Sequence, residues 1–135
     1  MAKSNTFQCS VLTPEKTVLD CEVTSVVFPA HDGELGVLLN RAPLVCKLGI
    51  GRLRADSPDK THTMFIDGGF AQIVGNRLTI LTEQACRPDE IDTEKAGQSL
   101  TEAHAMRIPD DAAYTTRDKA IQRAKVQITL GNTRA

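Results

Sequence analysis

The sequence predicts a β-rich domain followed by a helical hairpin, and two observations carry the prediction. From residue 6 to about residue 83, apolar side chains alternate in short runs broken by turn residues, the period-two signature of antiparallel strands. From Arg87-Pro88 onward, alternation gives way to segments rich in Ala, Glu, Gln and Leu, with apolar positions three or four residues apart. The division is drawn there: residues 1–87 as a β-sandwich domain, residues 88–135 as a helical hairpin.

The first runs are Phe7, Cys9 and Val11, then Val18 to Val27, separated by a turn at Thr13-Pro14-Glu15-Lys16. His31-Asp32-Gly33-Glu34 breaks the pattern. Val37 to Leu39 follows, then Leu44, Cys46, Leu48 and Ile50, with Gly49 and Gly51 expected at bends or bulges that need bare backbone. Ser57-Pro58-Asp59-Lys60 is a further turn. Met64 to Ile66 leads into Asp67-Gly68-Gly69, read as turn residues. Phe70 to Val74 and Leu78 to Leu81 flank Gly75-Asn76, a pair suited to a two-residue hairpin. About eight to ten short strands at this spacing imply a sandwich or flattened barrel.

Pro88 is well placed at a helix start, because it has no amide hydrogen to leave unpaired there. A first helix is predicted from Asp89 to Ile108, with Asp89, Glu90, Asp92 and Glu94 crowding its positive end. Pro109-Asp110-Asp111 turns the chain. A second helix, from about Asp111 to Leu130, is capped by Asp110 or Asp111 and stopped by Gly131-Asn132. Ile91, Ala96, Leu100, Ala103 and Met106 face Ala113, Ala120, Ile121, Ala124 and Ile128. Alanines bury little area at ~0.8 kcal/mol per methylene, so the hairpin is expected to be detachable.

Composition narrows the function. The 135 residues can bury a core without staples, and a net charge of -1 offers no basic field for nucleic acid or anionic lipid. With no Trp and one Tyr, platforms for stacking bases are lacking as well. The N-terminus shows no apolar stretch of signal-peptide length, and charges interrupt every hydrophobic run, so neither secretion nor direct membrane insertion is expected. Cys9, Cys21, Cys46 and Cys86 form no C-x-x-C pair and read as reduced, small buried hydrophobes, Cys9 on the inner face of its strand.

No catalytic set emerges. His31, His62 and His104 fall in a turn, a strand and a helix without ligands at metal spacing, so no metal is expected. Asp67-Gly68-Gly69 lacks the Lys-Ser/Thr and helix of a phosphate-binding loop. Gly33-Glu34-Leu35-Gly36, followed by an apolar stretch and Asn40-Arg41-Ala42-Pro43, reads from its residues as a structural turn in which Glu34 caps or stabilises the backbone.

Four segments nevertheless carry a resemblance: SVLTPE at 10–15, GELGVLLNRAPL at 33–44, DGGFAQI at 67–73 with LTIL at 78–81, and EIDTEKA at 90–96. In that order they resemble the epsilon subunit of rotary F-type ATP synthases over nearly the whole chain. The resemblance implies a ten-stranded β-sandwich followed by an antiparallel two-helix hairpin, and a non-catalytic role. Such a subunit sits in the central stalk, binds gamma and the c-ring, and couples rotation driven by protons or sodium to ATP synthesis. It implies peripheral placement at the cytoplasmic face of the bacterial inner membrane. The acid of the family's loop falls on Glu34, and its usual histidine on Arg41, both expected against the ring. Arginine's permanent charge removes a pH-dependent contact there.

The family's hairpin brakes ATP hydrolysis in many bacterial members and binds ATP in some. Here Asp92, Lys95 and Arg123 fall on its nucleotide motif, but Lys95 replaces an arginine, Gln127 replaces another, and Cys86 stands where ATP binders carry an acid. No cofactor is therefore expected, and ATP binding is expected to be weak or absent. Arg117, Lys119, Arg123 and Lys125 are the cations expected to meet acidic segments of the alpha and beta catalytic subunits. Read from the residues alone, Lys95 and Arg123 belong to a solvated helix face. The competing functions are a stand-alone nucleotide-sensing module and a generic β-sandwich adaptor.

Overall fold

The computed structural model describes residues 5–107 and 110–133, without the side chains of Asp111 and Thr133. It divides into two compact units, Met1–Cys86 and Arg87–Ala135.

The first unit contains β1 (Phe7–Leu12), β2 (Thr17–Val23), β3 (Ser25–Ala30), β4 (Gly33–Leu38), β5 (Leu44–Asp56), β6 (Thr61–Val74), β7 (Arg77–Leu81) and β8 (Ala85–Cys86). These eight strands pair in the order β2-β1-β7-β6-β5-β3-β4, with β8 on β6. Ten were expected; the difference lies in β5 and β6, each long enough to serve both layers of the sandwich. Leu44–Leu48 pairs with Gly69–Ile73, and that half of the ribbon continues into β7, β1 and β2. Ile50–Asp56 pairs with Thr61–Asp67, and that half continues into β3, β4 and β8. Cutting each strand at its glycines would restore the ten.

The pairing skips Gly49 and Gly68, where the ribbon bends. Gly68 and Gly69 take φ of +71° and +107°, which side chains disfavour. They are therefore not a turn between strands, as their composition suggested, but a bend inside one. A Cβ on Gly69 would lie 1.9 Å from the Leu81 carbonyl oxygen, so β7 approaches β6 as it does only because that atom is missing.

True turns follow their local chemistry. Gly75 and Asn76 both take φ of +57°, the mirror-image geometry that suits a two-residue hairpin between twisted strands. The Thr13 and Ser57 amides donate to the Lys16 and Lys60 carbonyls, closing two more. Asn40, also left-handed, donates its amide to Asn76 Oδ1 at 2.7 Å and accepts from Asn76 Nδ2 at 3.2 Å, clasping the β4–β5 turn to the β6–β7 turn.

The core lies between the layers: Phe7, Cys9, Val11, Val23, Val26, Phe28, Leu53, Met64, Ile66, Leu78 and Ile80 are all but sealed from solvent. Each large side chain contributes about 1.5–3 kcal/mol by leaving water. Cys9 fits the expectation of a small buried hydrophobe, but Cys21, Cys46 and Cys86 are only half-buried; Cys21 sits on an outermost strand.

At the joint of β3, β5 and β6, Asp56 accepts from Thr61 Oγ1 at 2.9 Å, Arg54 Nε at 3.2 Å and Ser25 Oγ at 3.2 Å. These donors, Thr61 first, hold its carboxyl below the usual aspartate range. Its main-chain carbonyl also accepts from the Thr24 amide and hydroxyl.

In the second unit, Pro88–Glu90 forms a 3-10 turn and Ile91–Asp92 an extended step before α1 (Thr93–His104). The first helix is thus shorter than expected at both ends. Asp92 is its N-cap, accepting from the Lys95 amide at 3.1 Å, because a carboxylate outside the helix satisfies an otherwise unpaired amide. Met106 lies past the helix end, and the predicted terminus at Ile108 and the turn residue Pro109 lie outside the described residues. α2 (Asp111–Thr133) is capped by Asp110, which accepts from the Ala113 amide at 2.8 Å. It does not stop at Gly131. That glycine is buried inside the helix, where a Cβ would lie 2.2 Å from Thr93 Cγ2, so it serves close packing rather than termination. Ala96, Ala103, Ala124 and Leu130 are buried, the narrow apolar contact expected from the alanine stripes.

Gly69→Ala is expected to destabilise the chain by at least about 3 kcal/mol, combining backbone strain with a main-chain clash, read as a lower urea midpoint. An unchanged midpoint would show that β7 is not held by this approach. Because the folded carboxyl of Asp56 is depressed, its contribution is complete above the unfolded value near 3.8 and is lost as pH falls through the folded value. With 32% of its side chain exposed, that contribution is no more than about 1 kcal/mol. Asp56→Asn should therefore lower stability at neutral pH and flatten its fall below about pH 4, measured by denaturant titration across pH.

Candidate functional site

Strand alternation gives the β1-β7-β6-β5 layer an outer face opposite the core. On it Lys47 pairs with Phe70, Phe70 with Leu81, and Leu81 with Leu12, a ladder across four strands. Val45 and Val74 stand two and four residues along the same faces of β5 and β6. Phe70 is 56% exposed, Leu81 50%, Val74 50% and Val45 66%. Gln72, Thr79, Arg77 and Lys47 surround them. A large apolar group set in a polar surround on a rigid sheet is the mark of a surface meant to be covered.

The expected ring contacts fall elsewhere. Glu34 is exposed and belongs to β4 rather than to a loop, opposite Pro29; Arg41 is exposed in the connection after β4. Four strand steps separate Glu34 from Leu38, roughly 13 Å, with a turn still to come before Arg41. The structure therefore does not join the two as a charge pair.

In the helical unit, a cavity of about 260 Å³ lies between α1 and α2, lined by Ser99, Glu102, Ala103, Met106, Ala120, Arg123, Ala124 and Gln127. Of the three predicted nucleotide residues only Arg123 lines it. Asp92 is occupied as a helix cap, and Lys95 is exposed one turn before Ser99. Glu102 places a carboxylate where a phosphate would need cations. Arg117 donates from Nη2 to the His104 carbonyl at 3.4 Å, bridging to the negative end of α1, and its Nε is buried. Lys119 and Lys125 are exposed.

Among the described residues no group of three or more His, Cys, Asp or Glu could hold a metal, and no helix is long and apolar enough to cross a membrane. The outer apolar face escaped the sequence reading because Phe70, Ala71, Ile73 and Val74 are apolar in both phases of one strand. Only the register of β5, β6 and β7 shows which of them point outward.

A rigid sheet with an exposed apolar face is the equipment of a subunit that works by contact with other chains. The family described as "ATP synthase, Delta/Epsilon chain, beta-sandwich domain" matches residues 6–88. The ATP synthase epsilon chain of Rhodopirellula baltica is 38% identical over 122 residues, covering 90% of this chain and 95% of that one. That of Leptospira interrogans is 33% identical over 129 residues, covering 96% and 98%. Among solved structures, a chain of the Euglena gracilis mitochondrial ATP synthase, OSCP/F1/c-ring, superposes with TM-score 0.80 at 26% identity over 93% of this chain and 81% of that one. A chain of the Tetrahymena thermophila mitochondrial ATP synthase central stalk/c-ring gives TM-score 0.71 at 11% identity, a likeness of fold. The chain belongs to the epsilon-subunit family of F-type ATP synthases.

Proposed function

We propose that this chain is a central-stalk subunit that couples c-ring rotation to ATP synthesis, and that the outer face carrying Phe70, Leu81, Val45 and Val74 docks on gamma. The exposed apolar ladder carries this reading, since no other described surface offers so much large apolar side chain on one rigid layer. Glu34 and Arg41 are the proposed contacts to the ring, and the complex is proposed to stand at the cytoplasmic face of a bacterial inner membrane with proton or sodium coupling. The hairpin is a regulatory arm that restrains hydrolysis through the alpha and beta subunits. Of the four cations proposed for that contact, Lys119 and Lys125 are exposed, Arg123 lines the cavity between the helices and Arg117 is engaged within the hairpin.

Replacing Phe70 and Leu81 together by Asp is expected to abolish co-purification with gamma, because two buried apolar anchors of about 2 kcal/mol each would become charges. Retained binding would move the gamma surface elsewhere. In the same preparation a chain ending at Cys86 should still assemble but allow faster ATP hydrolysis; an unchanged rate would remove the regulatory role. For nucleotide, equilibrium dialysis should give ATP binding no tighter than about 1 mM, and Gln127→Arg should tighten it about tenfold by adding a charged donor to the cavity. A micromolar Kd for the unaltered chain would contradict weak binding.

A further inference from the structure

Cys9 and Cys21 stand directly opposite one another in the antiparallel β1–β2 ladder, flanked on the same inner face by the Phe7–Val23 and Val11–Leu19 pairs. Opposed residues of antiparallel strands have Cα atoms about 4.5–5.5 Å apart, inside the 4.4–6.8 Å that a disulfide spans. Cys46 faces Ala71 and Cys86 faces Phe65, so among the described strand pairs this register alone opposes two thiols. From this juxtaposition we infer that Cys9 and Cys21 form a dithiol modification site, closed to a cross-strand disulfide by exchange with low-molecular-weight disulfides.

The two thiols are unequal. Cys9 is fully buried, whereas Cys21 is half-buried on β2, a strand that hydrogen-bonds to β1 and ends the sheet. Cys21 therefore meets the reagent first. Its thiolate attacks one sulfur of the small disulfide and displaces one thiolate, leaving a mixed disulfide. Cys9 sulfur then attacks Cys21 Sγ and displaces the second thiolate. Two protein thiols are oxidised, one small disulfide is reduced to two thiols, and the two cysteine protons end on those leaving groups. Burial pushes the Cys9 thiol up to about 12, with Cys21 and Asp20 adding to it; burial also raises Cys21, with Asp20 and Asp59 reinforcing the shift and Lys60 opposing it. Few thiolates exist at neutral pH, so closure is slow; how far it proceeds is set by the poise of the surrounding disulfide pool. Once formed, the bond ties the end strand to its neighbour across a short loop.

The test incubates the full chain with glutathione disulfide, traps remaining thiols by alkylation, and maps peptides by mass spectrometry. The expected product is a Cys9–Cys21 linked pair two hydrogen masses lighter, with Cys46 and Cys86 alkylated and thermal unfolding raised by about 5–10 °C. Cys46→Ser should keep the linkage and the shift; Cys21→Ser should lose both while unfolding like the reduced chain. Glutathione retained on Cys21 without closure, a bond involving Cys46 or Cys86, or four alkylated thiols at an oxidising poise would each overturn the inference.

Discussion

The β5–β6 ribbon is the one element that belongs to both layers of the sandwich, and it can do so only where its backbone is bare. Strands of 13 and 14 residues would run far past one layer if they stayed straight. They bend where pairing skips Gly49 and Gly68. Beyond the bend the ribbon packs tightly against its surroundings: Gly69 against the Leu81 carbonyl, Gly49 against the Ala30 carbonyl, Gly51 against the Pro29 ring. With those approaches in place, Ala71 and Ile73 reach Ile80 and Leu78 on the inner side of β7. The same bend sets the phase that turns Phe70, Gln72 and Val74 outward. Core and exposed apolar face are thus two faces of one backbone decision.

What could be read from the sequence was what local chemistry determines. Gly75-Asn76 and Thr13 to Lys16 make turns because the residues themselves favour the geometry and supply the hydrogen bonds. Asp67-Gly68-Gly69 misled because a bend inside a strand and a turn between strands call for the same glycines, and only pairing on both sides distinguishes them. Asp92 looked like one more acid in a helix, yet a carboxylate at that position stabilises more as a cap than inside the first turn. Gly131 looked like a stop signal because its real reason, the Thr93 methyl, is nearly forty residues away in sequence.

The site was legible to different degrees for the same reason. Glu34 and Arg41 came to notice through a family resemblance; the glycines on either side of Glu34 suggested a turn, and only the pairing of β4 with β3 puts it on a strand, opposite Pro29. The outer apolar ladder and the opposed Cys9 and Cys21 depend on register, which links residues on different strands and leaves no mark in a linear reading. Register is also what gives both features consequences, since it turns scattered apolar side chains into a surface and two thiols into a pair.

The helical unit is held by weaker means, and that limits how its two helices can come apart. α1 has 12 residues, short of the length at which an isolated helix is stable in water, while α2 has 23 and spans about 35 Å. α1 therefore relies on its contact with α2: Ala96 and Ala103 from one side, Ala124 from the other, Gly131 closing on Thr93, and Arg117 on the carbonyl of His104. None of these buries much area. If α2 withdrew alone, α1 would lose the packing that keeps it helical, so separation carries the cost of melting a short helix besides that of exposing alanines. A hairpin with this construction holds together as one unit, and its helices separate only where a partner replaces the small buried contacts that α1 gives up.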